Sequence, residues 1–253
     1  MDAARQSYDD YRFARQSQAG FANFWSRFGG PPSFAGKRVL ELGSGRGGMI
    51  HAIMRAGAAS AVGVEIDEDY LAFARPRLAA EWGDRVDMRE GDIAQMDFAP
   101  VDLVVSCNTL EHVLDLDNTL QATAARCKPG ADMYFGFAPL WYSPYGHHGF
   151  ADSRVPWIHL LRGEDDFVSR FNRDCNTHFR TVREAGFNKY GPAEFERAIR
   201  ALPVEVLSSR RNVGTTKWRT ALSQLFLIPG LIPPLEKYVT VGMYWHLRKT
   251  DEV

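Results

Sequence analysis

The sequence has few cysteines, with only three among its 253 residues. Cys107, Cys127 and Cys175 are far apart and form no Cys-x-x-Cys pair, which argues against a disulfide framework and a zinc–thiolate site. Long apolar runs are also lacking, because the nearest candidate, residues 222–235, is interrupted by prolines and a glycine. Residues 1–5 show no basic-then-apolar leader, so we expect a cytoplasmic protein without a transmembrane segment.

Neither sign of charge is in excess. Lys and Arg together number 30, Asp and Glu 31, and the formal net charge is -1. Binding to a nucleic-acid backbone needs a concentrated basic surface, so no nucleic-acid partner is expected. A hydrophobic content of 45% is ordinary for a globular protein. The length fits one large domain with a modest cap.

Short apolar runs alternate with helical patterns between residues 37 and 138. This alternation implies right-handed βαβ units and a parallel sheet covered on both faces. We therefore predict that residues 37–138 form the core of the fold. The predicted strands are 38–42, 61–65, 86–89, 102–106 and 133–138, the predicted helices are 49–56, 69–82 and 117–127, and 128–130 is a predicted turn.

The remaining segments flank or interrupt this core. Regularly spaced aromatic residues predict a helical lead-in within residues 1–36. Residues 139–190 are rich in aromatics, histidines and glycines, which indicates a helical cap inserted after the fifth strand. Residues 191–253 are predicted to complete the core sheet, with a helix at 193–201 and strands at 203–209 and 238–247.

The predicted fold class is accordingly α/β. It is a doubly wound, seven-stranded, mostly parallel sheet with an antiparallel last strand and a cap after the fifth strand. Ligands of such sheets bind at the carboxyl ends of the strands.

A glycine-rich loop over residues 43–48 follows the first predicted strand. Glycines allow a tight turn and close approach of a ligand to the backbone, and the next helix offers unpaired N–H groups. The loop satisfies Gly-x-Gly-x-x-Gly, so an NAD(P)-dependent oxidoreductase is one interpretation. Glu41 favours another, because a carboxylate aimed at the loop repels a pyrophosphate but attracts a ligand with an ammonium and a sulfonium group.

The segment from Glu41 to Gly47 resembles the Glu/Asp-x-Gly-x-Gly-x-Gly hallmark of class I S-adenosylmethionine-dependent methyltransferases. The resemblance covers roughly residues 37–138 and includes Glu65 at the end of the second strand, Gly91-Asp92-Ile93, Leu110-Glu111-His112 and Lys128-Pro129-Gly130. It implies S-adenosylmethionine as the cofactor.

The resemblance also implies a role for individual residues. Glu65, with Asp67 as the alternative, would hold the ribose hydroxyls, and Ile66 would pack on the adenine. Asp92 would lie near the adenine amino group, its alternative being a helix cap, and the residues after the fourth strand would lie beside the methionine part. The residues predicted to bind the cofactor are Glu41, Gly43, Ser44, Gly45, Gly47, Glu65, Ile66, Asp92, Ile93, Cys107 and Asn108.

Three histidines are candidates for a general base. An oxygen acceptor needs help to lose its proton, and a sugar alcohol needs more help than a phenol. His147 and His148 lie in the aromatic loop after the fifth strand, and His112 follows the fourth strand. For each histidine a purely structural role is the alternative. Residues 147, 148 and 152, or the acids of 108–117, leave open a divalent cation such as Mg²⁺, although no dedicated ligand spacing is present.

The leading functional prediction is O-methylation of a hydroxyl on a sugar, polysaccharide or glycolipid, since aromatic faces with polar groups suit a carbohydrate ring. The alternative is C- or O-methylation of a quinone or lipid precursor. An NAD(P)-dependent oxidoreductase and an inactive cofactor-binding module are further hypotheses. For residues 222–235 we expect core packing, with contact to a membrane surface or to a partner subunit as the alternatives. A homodimer is left open.

Overall fold

The computed structural model describes residues 3–150, 154–214, 224 and 228–250. Its centre is a seven-stranded sheet of order β3-β2-β1-β4-β5-β7-β6. The first five strands pair in parallel, and β7 runs antiparallel to both of its neighbours, β5 and β6. This confirms the predicted fold class. The strands are β1 (Arg38–Leu42), β2 (Ser60–Glu65), β3 (Val86–Glu90), β4 (Val101–Cys107), β5 (Cys127–Phe137), β6 (Val204–Arg211) and β7 (Met243–Lys249).

Helices cover both faces of the sheet and the edge where its parallel strands end. A π-helical turn, Gln16–Gly20, joins the first two helices, and a 3₁₀ turn, Leu110–His112, follows β4. The helices are α1 (Ala3–Arg15), α2 (Phe21–Ser26), α3 (Gly48–Arg55), α4 (Glu68–Trp82), α5 (Leu116–Ala125), α6 (Ile158–Arg162), α7 (Glu164–Cys175), α8 (Pro192–Arg200) and α9 (Glu236–Val239).

Side chains of each central strand alternate between two hydrophobic clusters. In β1, Val39 packs in the cluster that contains α3, while Leu40 packs in the cluster that contains α5 and α8. In β4, Leu103 and Val104 divide in the same way. This period of two, with apolar residues on both sides, is the pattern of a strand buried on both faces. The alternation places Glu41 on the α3 side of the sheet.

The segment between β5 and β6 has a small core of its own. Trp141, Phe167 and Phe187 belong to this cluster, which holds α7 against the loop that follows β5. His159 in α6 is buried, and its Nε2 lies 2.7 Å from the carbonyl oxygen of Trp141. The loop and the two short helices therefore form one packed layer.

Three local predictions are wrong. Residues 128–130 belong to β5 rather than to a separate turn. The pairing of β4 with β5 shifts its register between Val101 and Leu103 of β4. The last strand begins at Met243, because the preceding residues form α9 and a loop held by the side chain of Asn212.

The third concerns residues 222–235, of which the structure describes 224 and 228–235. Ile228 and Leu231 are exposed there by 61% and 82%, so these two side chains do not pack in the core as expected. Asp152, a candidate cation ligand, lies outside the described residues. None of the helices in the described ranges is long and apolar enough to cross a membrane.

Candidate functional site

A cavity of about 1060 Å³ opens at the carboxyl ends of β1, β2 and β4. Its position agrees with the rule that open α/β sheets bind ligands where the strand order reverses. Nine of the residues proposed from the sequence line its wall. They are Gly43, Gly45, Glu65, Ile66, Asp92, Ile93, Cys107, Asn108 and His112.

The glycine loop forms the cavity floor, and its glycines are required for different reasons. Gly43 has φ +74°, and a β-carbon there would lie 2.1 Å from Oγ1 of Thr109. A β-carbon on Gly45 would meet no atom within 4 Å, so this side of the loop is open space for a ligand. Gly47 precedes α3 as its N-cap with a left-handed backbone.

Three backbone amides hold the Glu65 carboxylate in place. Oε2 accepts a hydrogen bond of 2.7 Å from the amide of Gly45, and Oε1 accepts bonds from the amides of Ile66 at 2.8 Å and Asp67 at 3.2 Å. Asp67 itself caps α4 through its side chain. A carboxylate has about four lone-pair sites, so this one is oriented before any ligand arrives.

The neighbouring wall is apolar on one side and polar on the other. Ile66 is 78% exposed and gives the wall an aliphatic surface suited to a flat heterocycle, while Ile93 lines the wall as a buried core residue. Asp92 caps the 3₁₀ turn Ile93–Gln95 by accepting from the amide of Ala94 at 2.9 Å, so capping and lining are combined in one residue. Asn108 faces the cavity with φ +54°.

The environment of Glu41 differs from the one that the sequence argument assumed. Its side chain is fully buried, and burial, followed by repulsion from Glu65, raises its pKa well above the ordinary value of 4.5. The amide of Ile50 favours the charged form but does not offset these effects. The raised pKa favours the uncharged form of Glu41, which weakens the charge argument against a pyrophosphate ligand.

Three of the proposed cofactor residues are absent from the cavity wall of the described chain. Besides Glu41 these are Ser44, which is buried, and Gly47, whose β-carbon position is filled by Leu78. They shape the loop from below. Their assignment as cofactor ligands stays a prediction from resemblance.

His112 combines a fixed ring with a free nitrogen. Its Nδ1 lies 2.9 Å from the carbonyl oxygen of Gly186, and a carbonyl only accepts, so Nδ1 carries the proton and Nε2 is left as an acceptor. The residue is solvent-exposed, and it lines the cavity. Burial lowers its pKa below the ordinary value of 6.5. At neutral pH His112 is therefore uncharged.

His147 and His148 lie behind the wall and are not cavity-lining residues of the described chain. His147 is 5% exposed, and its Nδ1 accepts a 3.1 Å hydrogen bond from the amide of Gly149. Nε2 of His148 lies 2.9 Å from the carbonyl oxygen of Pro139. Of the three candidate bases, only His112 reaches the cavity.

The lead-in helices supply much of the wall that the sequence did not identify. The guanidinium of Arg27, after α2, lies 5.1 Å from the ring centre of Tyr244 in β7, and both residues line the cavity. Arg12, Arg15 and Arg27 form no ion pair with any carboxylate in the described ranges. Arg12 instead donates to the Tyr8 hydroxyl and Arg27 to the carbonyl oxygens of Asn23 and Val213, so no carboxylate neutralises their charge within these ranges.

Arg46 ties the first helix to the glycine loop. Its guanidinium bonds the buried carboxylate of Asp9 in α1 and lies 4.2 Å from the ring centre of Tyr70 and 5.5 Å from that of Tyr8. A β-carbon on Gly48 would lie 2.7 Å from the carbonyl oxygen of Phe13, so α1 packs directly on the start of α3.

No group of three or more histidine, cysteine, aspartate or glutamate side chains in the described part of the chain is arranged to hold a metal ion.

Cys107 lines the cavity, but its thiol is a poor nucleophile. Burial raises the pKa of Cys107 to about 12, and the nearby Glu41 and Glu111 add to this shift.

Residues 39–130 match the family model of a methyltransferase domain. An S-adenosylmethionine-dependent methyltransferase from Mesorhizobium loti has a TM-score of 0.55 at 18% identity, over 90% of this chain and 98% of that one. The fold and the domain are those of a class I S-adenosylmethionine-dependent methyltransferase. This confirms the class and the cofactor predicted from the sequence, and it favours the methyltransferase interpretation of the glycine loop over the NAD(P) one.

A further methyltransferase of this fold has been solved with its cofactor. Phosphoethanolamine N-methyltransferase 2 of Haemonchus contortus, in complex with S-adenosyl-L-methionine, has a TM-score of 0.59 at 14% identity, over 92% of this chain and 53% of that one. At such identity the likeness concerns the fold alone.

Two curated relatives have the same name. The ubiquinone biosynthesis O-methyltransferase of Aromatoleum aromaticum is 36% identical over 157 residues, which are 60% of this chain and 64% of the relative. That of Hahella chejuensis is 37% identical over 103 residues, which are 40% and 42% of the two chains. This chain thus spans less than two thirds of either relative. Neither supports the predicted carbohydrate acceptor, and both names agree better with the alternative.

Proposed function

We propose that this protein is an O-methyltransferase that acts on a phenolic hydroxyl of a quinone or lipid precursor, with His112 as the general base. The observation that carries the proposal is the cavity-lining ring of His112, whose Nδ1 is fixed by Gly186 and whose Nε2 is free. The names of the 36% and 37% identical relatives support the acceptor class.

The cavity wall fits S-adenosylmethionine. Glu65 presents an oriented carboxylate to ribose hydroxyls, Ile66 presents an aliphatic surface to adenine, and Gly45 leaves open space beside the backbone. When bound, this cofactor supplies an electrophilic methyl group on a positively charged sulfur. The volume of about 1060 Å³ is at the upper end of small-molecule sites, which leaves space for an acceptor.

The chemistry of His112 favours a phenol over a sugar alcohol. A phenol has a pKa of about 10 and a free imidazolium one of about 6.5, a gap small enough for proton transfer to Nε2 as the new oxygen–carbon bond forms. An aliphatic alcohol is a much weaker acid and gains less from the same base. Phe24, Val113 and Leu114 add apolar surface to the cavity, which suits an aromatic ring with an alkyl chain.

Isotope-labelled S-adenosylmethionine and two matched acceptors test the proposal. One acceptor is a catechol with an alkyl chain, and the other is a glycoside with the same chain. We expect methylation of a catechol oxygen and no comparable transfer to the glycoside. Preference for the glycoside would overturn the acceptor class.

The base is tested with His112→Gln. Loss of general-base catalysis is worth about 10²- to 10⁴-fold, so we expect kcat to fall in that range while the affinity for S-adenosylhomocysteine changes little. His51→Gln is the matched control, because His51 pairs with Glu81 on α4, away from the cavity wall. Full kcat in His112→Gln would remove His112 from the mechanism.

A further inference from the structure

His112 and His148 form a ring pair beside the cavity. Their ring centres are 5.0 Å apart with an angle of 63° between the planes, and both rings contact Phe187, at 5.2 and 5.1 Å. Each ring donates to a backbone carbonyl at 2.9 Å, His112 through Nδ1 to Gly186 and His148 through Nε2 to Pro139. These two bonds fix both tautomers.

We infer that His148 is a positioning residue for His112: its ring shields one side of the His112 ring from water and holds Nε2 as the free nitrogen at the cavity. This inference rests on the proposed function, in which His112 is the base. It assigns to His148 a role different from that of a base, because His148 lies behind the wall and its bonded nitrogen is occupied by Pro139.

The loop that carries His148 has little freedom to move. A β-carbon on Gly146 would lie 1.9 Å from the carbonyl oxygen of Trp141, so the backbone is packed against the cap at this point. His148 itself has φ +51°, and its amide donates to the carbonyl oxygen of Tyr145 at 3.1 Å. Asparagine and histidine tolerate this left-handed conformation better than most residues.

The surrounding groups keep His148 uncharged. Burial, followed by repulsion from His112 and then from His147 and His159, lowers the pKa of His148 to about 3. Asp115 and Glu184, on the segments that flank His112, also line the cavity. A neutral ring excludes water from His112 without placing a second positive charge beside it, which leaves burial as the main cause of the lowered pKa of His112.

The inference is tested by NMR titration of the histidine ring signals in the free protein, which needs no acceptor. His112→Gln assigns the His112 signal. His148→Asn keeps the left-handed backbone and removes the ring, and we expect it to raise the pKa of His112 by about half a unit to one unit. His148→Phe keeps the ring contact, and we expect it to retain most of the wild-type value. The acidic limb of the kcat/KM profile should shift in the same way.

His159→Phe is the matched control, because His159 donates to the carbonyl of Trp141 in the same manner but has no ring contact with His112 in the described structure. It should leave the pKa of His112 unchanged. An unchanged value in His148→Asn as well would overturn the inference, while lost turnover in His112→Gln would still support the proposed function.

The wild-type protein supplies a test that does not depend on the folding of any variant. We expect the His148 signal to keep its Nε2-protonated form from pH 5 to pH 8, while that of His112 titrates below its ordinary range. Titration of His148 within that interval would overturn the inference. Full kcat in His112→Gln would instead overturn the base assignment of the proposed function.

Discussion

Arg46, in the glycine loop, bonds Asp9 in the first helix, although the two residues are separated by the whole of α2 and β1. Asp9 is 4% exposed in its side chain and Arg46 14%, so the pair is largely removed from water. Because Arg46 also lines the cavity, the first helix is coupled to the place where the cofactor is expected to lie.

Asp9→Asn tests this coupling. Removing one partner of a buried pair leaves an uncompensated charge, so we expect a loss of about 3 kcal/mol in unfolding free energy. We also expect about tenfold weaker binding of S-adenosylhomocysteine by calorimetry. The matched control is Asp10→Asn, which breaks the more exposed pair with Arg77 and should cost under about 1 kcal/mol. Equal effects in the two variants would contradict a special role for Asp9.

Replacement of Gly43 and of Gly45 by alanine should affect stability and cofactor binding differently. Gly43→Ala places a β-carbon inside the Thr109 side chain, so we expect a lower melting temperature together with lost cofactor binding. Gly45→Ala meets open space, so its cost is mainly the positive φ of +50°, about 1 kcal/mol. It should stay folded and bind S-adenosylhomocysteine more weakly. A folded Gly43→Ala protein with normal affinity would disprove the clash.

Glu111 should make stability depend on pH. Burial raises its pKa from the ordinary 4.5 to about 8, so between these values the folded protein keeps a proton that the unfolded chain has lost. Its stabilising contribution is fully present below pH 4.5 and is lost as the pH rises towards 8, at up to about 1.4 kcal/mol per pH unit.

The measurement is denaturant unfolding of the wild type and of Glu111→Gln across this range of pH. The glutamine has no proton to lose, so the variant should gain stability relative to the wild type as the pH rises. A difference that stays constant from pH 5 to pH 8 would show that Glu111 ionises normally.

Cys107 should be dispensable despite its place in the wall. With a pKa raised to about 12 the thiol is protonated at neutral pH, and a protonated thiol is a poor nucleophile. We expect iodoacetamide to label the exposed Cys175 and to spare Cys107 in the native protein. Cys107→Ala should keep its affinity for S-adenosylhomocysteine within about threefold. Rapid labelling of Cys107, followed by mass spectrometry, would refute this.

The central strands of the sheet and the glycine loop are encoded locally, and the sequence predicted them. The run from Arg38 to Leu42 is apolar and ends in glycines, which is enough to indicate a buried strand and a turn. The same reasoning places Glu65 at the end of the next strand, whereas its role as a ribose ligand is what the family resemblance implies. Tyr238 illustrates the limit, because the alternation that suggested a strand is overridden by hydrogen bonds from the distant Asn212.

The wall opposite the glycine loop depends on contacts between distant segments, which no local pattern contains. Arg27 and Tyr244 meet at one wall although 216 residues lie between them in the sequence. The positions of His147 and His148 depend on how their loop packs against the cap, where Gly146 and Trp141 leave no space for another arrangement. Residue type alone therefore did not distinguish them from His112.

The strand order also determines when each part of the sheet can form as the chain leaves the ribosome. β7 lies between β5 and β6, so β6 is synthesised before the strand that joins it to the rest of the sheet. Every strand-end loop around the glycine floor exists by then, whereas the wall that contains Tyr244 does not. The part of the cavity formed by the glycine loop and its neighbouring strand ends is thus assembled from early-synthesised sequence, and the wall that contains Tyr244 is completed only when residues 243–249 have been added.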